Sequence, residues 1–178
     1  MNVRANAGFT LIEALIALLI IMIGLLGVAG MQALAVRNSA QAHIRTLAGL
    51  DVRSLAAVLR ANRAYWTDPS AASNVSIVNS GGTISIAPSS LAGGTNCSAA
   101  NCTPLQGAGY AVNQWAQLLK QLPSGSASIT RIANMGISAS AYAVTLNWSE
   151  RRMHSQGQGT KGTSAATEHH SITVVVKP

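Results

Sequence analysis

Gly8-Phe9-Thr10-Leu11-Ile12-Glu13-Ala14-Leu15-Ile16 places one carboxylate inside a stretch of large apolar side chains. Downstream of it, Ala14 to Val36 runs for 23 residues without an ionisable group. As a helix this run spans about 34 Å, enough to cross a bilayer core of about 30 Å. A charged side chain deep in a membrane helix costs about 2.5–3.5 kcal/mol on insertion scales. Glu13 therefore either marks the membrane edge and is solvated there, or has a function that offsets its cost. Three readings of the run compete: a plain anchor, a secretory signal ending near the small-x-small site Ala33-Leu34-Ala35, and a helix that is kept and used. A secretory signal has an apolar core of about 7–15 residues, shorter than this one.

The whole chain has 178 residues, the length of one domain. Twelve Lys+Arg against five Asp+Glu give +7, yet only 10% of residues are charged, where about 25% is usual. Apolar residues make up 48% of the chain, and the bulkiest are concentrated before residue 37. The rest is rich in Ser, Thr, Gly, Asn and Ala. This distribution excludes an ordinary cytosolic enzyme domain, a wholly disordered chain, and a multi-pass membrane protein, because there is one long apolar run.

Gly8-Phe9-Thr10-Leu11-Ile12-Glu13, behind a short polar leader with Arg4, resembles the processing site of type IV pilins and pseudopilins. The resemblance implies that a prepilin peptidase cuts between Gly8 and Phe9 on the cytoplasmic face and methylates the new amino group of Phe9. The glutamate that the family carries fifth from the cut falls on Glu13, which either faces the Phe9 amine of a neighbouring subunit or stays protonated in the bilayer. That α-amine, with an ordinary pKa of about 7.7–8.0, is largely cationic at neutral pH. A carboxylate in apolar surroundings needs such a cation or hydrogen-bond donors. The pair would set the axial register of subunits, as one buried polar group sets register in a coiled coil. The positive-inside rule points the other way, since Arg37, Arg45 and Arg53 outnumber Arg4; the processing motif overrides it. Ile23-Gly24-Leu25-Leu26-Gly27-Val28-Ala29-Gly30-Met31-Gln32 and Arg60-Ala61-Asn62 further resemble PilV-type minor pilins. Gly24, Gly27 and Gly30 read either as close helix packing or as a weak point that bends outside the bilayer.

No proline occurs from Phe9 to Asp68, and a helix to Asn62 is expected. Beyond Val36 it turns amphipathic, with Val36, Ala40, Ile44, Leu47, Leu55 and Val58 on one face. Arg37, Arg45, Arg53, Arg60 and Arg63 lie elsewhere, opposed by Asp51 alone. In the head, Val75/Ile77 and Ile84/Ile86 flank Gly81-Gly82 as a hairpin. Tyr142, Val144, Leu146 and Trp148 share one face of a strand, and Ile172, Val174 and Val176 share a face of the last one. Ser128 to Ile132 reads as a short fifth strand. Thr103-Pro104 starts a second helix, carrying Tyr110, Trp115, Leu118, Leu119 and Leu122 and stopped by Pro123. The expected fold is α+β and type IV pilin-like: a long N-terminal helix, apolar in its first half, packed on a small antiparallel sheet. The divisions are a leader over 1–8, a transmembrane or filament-core half-helix over 9–36, an amphipathic half over 37–63, and a periplasmic head over 64–178.

Cys97 and Cys102 sit in a Ser/Asn/Gly-rich loop. A zinc site needs about four ligands, and His154, His169 and His170 are scattered, so no metal is expected. In an oxidising periplasm the two cysteines read as a disulfide. Glu168-His169-His170 reads as surface. Arg151, Arg152 and Lys161, in a glycine-punctuated basic segment, are either a solvated loop or a partner surface for another pilin or for DNA. From Ala64 onward six basic residues face three acidic ones, whereas Arg37 to Arg63 adds five basic against one acidic. Most basicity thus lies on the first helix, near lipid phosphates or acidic neighbours, and no groove-reading motif supports DNA. No nucleophile elbow, metalloprotease motif or phosphate loop is present, and neither an enzyme nor a cofactor is expected.

The reading that results is a minor pilin of a type IV pilus, acting in pilus assembly and initiation and hence in motility and adhesion. Its partners would be other major and minor pilins, prepilin peptidase, the inner membrane and the pilus assembly platform. It would be a single-pass inner-membrane protein with a periplasmic head, at the cell surface after assembly. The alternatives are a type II secretion pseudopilin, a DNA-receptor pilin for DNA uptake, and a secreted soluble protein starting near Val36.

Overall fold

The computed structural model describes residues 10–132, 141–152 and 166–178. The chain divides into two compact units, Met1–His43 and Ile44–Pro178. Helix α1 runs over Leu11–Ala61. The carbonyl of Thr10 accepts the backbone N–H groups of Glu13 and Ala14, which opens the first turn. Glu13 sits in that turn and Arg60 in the last, both signs favourable to the helix dipole. At the C-terminal end the Asn62 side chain donates to the Val58 carbonyl at 2.9 Å. A single further turn, α2 (Arg63–Trp66), follows.

Within the second unit five strands form one antiparallel sheet: β1 (Asn74–Ser80), β2 (Thr83–Ala87), β3 (Ser126–Ile132), β4 (Ala141–Arg152) and β5 (Ala166–Val176). Their order is β2-β1-β3-β4-β5. The β1–β2 hairpin closes through Gly81 and Gly82 with φ of 59° and 90°, values that a two-residue hairpin turn needs at both central positions. All four expected strands and the short fifth are present, and the alternation assigned their faces correctly. Tyr142, Val144, Leu146 and Trp148 are buried together, while Ile172 and Val174 pack against the core beside buried Val176.

Helix α3 (Pro104–Ala116) lies in the same unit and starts as expected. The Thr103 hydroxyl accepts the Gln106 N–H, and the Gln106 side chain accepts the Thr103 N–H in return. The α-helix ends at Ala116, earlier than Pro123 would require, and tightens to a 3-10 turn over Gln117–Gln121. Residues three apart eclipse one another in that geometry, and Leu119 and Leu122 are both buried. At Gly109 a Cβ would sit 3.1 Å from the Leu91 carbonyl oxygen, so this close approach of α3 to the turn at Ser89–Leu91 favours glycine.

The core-facing stripe of α1 within the second unit differs from the expected one. Ala48, Val52, Leu55, Ala56 and Leu59 are buried, whereas Ile44, Leu47 and Val58 lie at its margin. Val52, Leu55 and Leu59 fill the contact, with small Ala48 and Ala56 between them. Asp51, the lone acid counted against the arginines of this helix, is 8% exposed and lies on the buried stripe.

Candidate functional site

The first part of α1 is apolar and uncovered. Leu15, Ile16, Leu18, Leu19, Ile20 and Ile21 are all at least half exposed. Single exposed apolar residues are ordinary; a continuous sleeve of them marks an interaction surface. By length and composition this is the one helix among the described residues fit to cross a membrane. Glu13 is exposed in its first turn. Gly24, Gly27 and Gly30 would each meet nothing with an added Cβ, so packing within the chain does not demand them. Gly8 and Phe9, the expected cleavage and methylation positions, lie outside the described residues.

In the second unit an ion cluster ties the end of β4 to α1. Glu150 is only 6% exposed. Arg45 donates to both its oxygens, Nε to Oε1 at 3.1 Å and a terminal nitrogen to Oε2 at 3.0 Å. The Trp148 indole N–H donates to Oε1 at 2.9 Å. The Arg45 bond, followed by the Trp148 bond and the charge of Arg45, holds the Glu150 carboxyl below the usual range against its burial. His170 stacks on Trp148 at 5.5 Å between ring centroids, with its Nε2 3.5 Å from Glu150 and 3.9 Å from Glu168. Reading Glu168-His169-His170 wholly as surface is therefore corrected for His170, which is partly buried against Trp148; His169 is exposed. Both missed residues were signalled by alternation. Glu150 continues the inward series 142, 144, 146, 148, and His170 continues 176, 174, 172.

One further contact links α1 to α3, and another lies within the head. Trp115 of α3 donates its indole N–H to the Asp51 carbonyl and to the Ser54 hydroxyl, both at 2.9 Å. Burial pushes the Asp51 carboxyl up from its ordinary value. Arg131 of β3 donates to the carbonyls of Asp68, Pro69 and Ala71 and to the Tyr142 hydroxyl, which itself donates to the Trp66 carbonyl. This fan of bonds fixes the loop between α2 and β1.

Cys97 and Cys102 form the expected disulfide. Arg151 and Arg152 stand in register opposite Thr167 and Ala166 on β5. The Arg151 and Arg152 side chains, and the whole of Lys161, lie outside the described residues. An open depression of about 460 Å³ is lined by Tyr65, Asp68, Ser70, Thr103 and neighbours. It contains one carboxylate and no acid–base pair. Among the described residues no three His, Cys, Asp or Glu side chains converge as metal ligands.

Residues 3–29 match a family described as the prokaryotic N-terminal methylation motif. No curated protein and no solved structure matches the chain. The matched segment contains Gly8, Phe9 and Glu13 and the start of the uncovered helix. The match stops at residue 29 and leaves the rest of α1 and the head outside it.

Proposed function

We propose that this protein is a minor pilin of a type IV pilus, cut between Gly8 and Phe9, methylated on Phe9, and built into a short pilin assembly through its apolar helix. The observation that carries the reading is the methylation motif over residues 3–29 at the head of a long helix whose apolar side chains are exposed. A precursor in the membrane and a subunit in a filament both need such a surface: lipid covers it first and neighbouring helices later. Glu13 is then the register carboxylate, and the Phe9 amine of the next subunit is its partner. The glycine series Gly24, Gly27 and Gly30 and the closing Arg60-Ala61-Asn62 favour the PilV-type minor pilins within the superfamily. The head, with its Cys97–Cys102 disulfide, would lie in the periplasm.

The test is mass spectrometry of the N-terminal peptide from the native membrane. A peptide that starts at Phe9 and carries one extra methyl is expected. An intact Met1, or a start near Val36, overturns the reading. A type II secretion pseudopilin shares the same motif and would give the same peptide. Deletion separates the two: loss of surface pili supports the proposal, and a block in protein export with pili intact supports the pseudopilin.

A further inference from the structure

The second half of α1 has a solvent face as well as a core face. Leu50, Arg53, Ala57, Arg60 and Ala61 recur at three- and four-residue steps and are all exposed. Leu50 is 55% exposed. Arg53 and Arg60, seven residues apart, form no ion pair among the described residues. Arg45, by contrast, is consumed by Glu150. The face is thus a leucine and alanines between two unneutralised guanidiniums.

The acidic residues of the chain are not placed to neutralise it. Of five, Glu13 lies in the first turn of the apolar helix, and Asp51 and Glu150 are buried. Glu168 is engaged beside His170. Only Asp68 is an exposed head carboxylate, and it already accepts two bonds from Ser70. Once Arg4 leaves with the leader, a second copy of this chain would bring a +6 neighbour whose head offers only Asp68 and the partly exposed Glu168 as accessible negative charge. Like charges brought together at an interface cost several kcal/mol. We infer that the Leu50–Arg53–Ala57–Arg60 face docks a different pilin subunit that presents carboxylates, so that this chain sits between unlike, acidic neighbours rather than among copies of itself. Alanine on the face permits close approach of a facing helix, and the two arginines suit acidic residues spaced about two turns apart on it. A lipid surface fits less well: the arginine next to the end of the uncharged run is Arg37, and the face itself has one large apolar side chain.

The inference rests on the pilin reading, and the experiment separates the two. The full chain, with a benzophenone amino acid at position 57, is expressed in its native cells and irradiated, and the adducts are sequenced by mass. The N-terminal peptide is read from the same sample. Expected is an adduct to another protein that carries its own N-terminal methylation motif and Asp or Glu in the crosslinked peptide. Its yield should fall about tenfold in the Arg53→Glu/Arg60→Glu variant and persist in Arg53→Lys/Arg60→Lys. Both side chains are exposed, so the Glu variant should lose only the helix-end contribution of Arg60, a small drop in melting temperature that leaves the head folded and the loss of adduct attributable to docking. An adduct to this chain itself, to lipid, or to nothing overturns the inference, as does a yield indifferent to charge reversal. With a methylated Phe9 in the same sample, the pilin reading survives that failure; without it, the reading itself has failed.

Discussion

Replacing Glu150 by Gln keeps the shape of the side chain and removes its charge. The amide oxygen can still accept the Trp148 indole bond. The amide nitrogen, however, meets the Arg45 guanidinium donor to donor, so the two-bond fork is lost. A hydrogen bond to a charged group contributes about 1.5–3 kcal/mol. The two bonds do not sum, because the Arg45 side chain is 56% exposed and water takes up the donors that Glu150 releases. The expected loss is about 1.5–2.5 kcal/mol at pH 7. For a cooperative unit of this size that is a Tm drop of about 5–10 °C. Near-UV circular dichroism of the full chain in detergent micelles reads it, since Trp148 lies against the changed group. The pH dependence has a definite sign. The Glu150 carboxyl titrates below its ordinary value of 4.5 in the folded protein. Its stabilisation is therefore fully present above 4.5 and is lost as pH falls through the lower folded value. The gap between parent and variant should be full at pH 7 and should narrow steadily below pH 4.5. A variant that melts within about 0.5 kcal/mol of the parent at pH 7, or a gap unchanged at pH 3, would refute the argument that this pair fastens the end of β4 to α1.

Asp51 carries the opposite sign. Burial raises its carboxyl pKa, so the folded state loses stability as pH rises through the folded value. Asp51→Asn should therefore melt higher than the parent at pH 7 and converge with it in acid; a lower Tm at pH 7 would show that the carboxylate has a partner that matters. Leu59→Ala removes a fully buried side chain from the head-facing stripe of α1 and should cost about 2–5 kcal/mol in denaturant unfolding. A cost under about 1 kcal/mol would mean that the helix is not seated on the sheet as described.

What was legible in the sequence follows from what kind of signal carried it. The strands were legible because Tyr142 to Trp148 and Ile172 to Val176 alternate cleanly and the paired glycines mark the only turn that fits between β1 and β2. The start of α3 was legible because Thr103 and Pro104 are local signals that need no tertiary context. The buried stripe of α1 was not, because the residues that touch the core include two alanines and an aspartate. Size-based apolar reading passes over the first and rejects the second. The Arg45–Glu150 pair was hidden for a different reason: 105 residues separate its members, and only pairing of β4 with its neighbours brings them together. Glu150 could have been assigned an inward position from alternation, but its partner could not have been named.

Glu13 and Glu150 show two ways of keeping a carboxylate in apolar surroundings, and the contrast bears on assembly. Glu150 has its cation within the chain, so its cost is met on folding. Glu13 has no cation among the described residues, and the run that follows offers none before Arg37. On the proposed reading its partner is an α-amine that exists only after the leader is removed. In the uncut precursor Phe9 is joined to Gly8 and has a neutral peptide nitrogen in place of that amine. Cleavage would then do more than trim the chain: it would create the one charge that lets Glu13 leave water for a helix bundle. An uncut Gly8 variant should accordingly remain in the membrane while absent from sheared filaments, and finding it in filaments at the parent's level would break the link between processing and register.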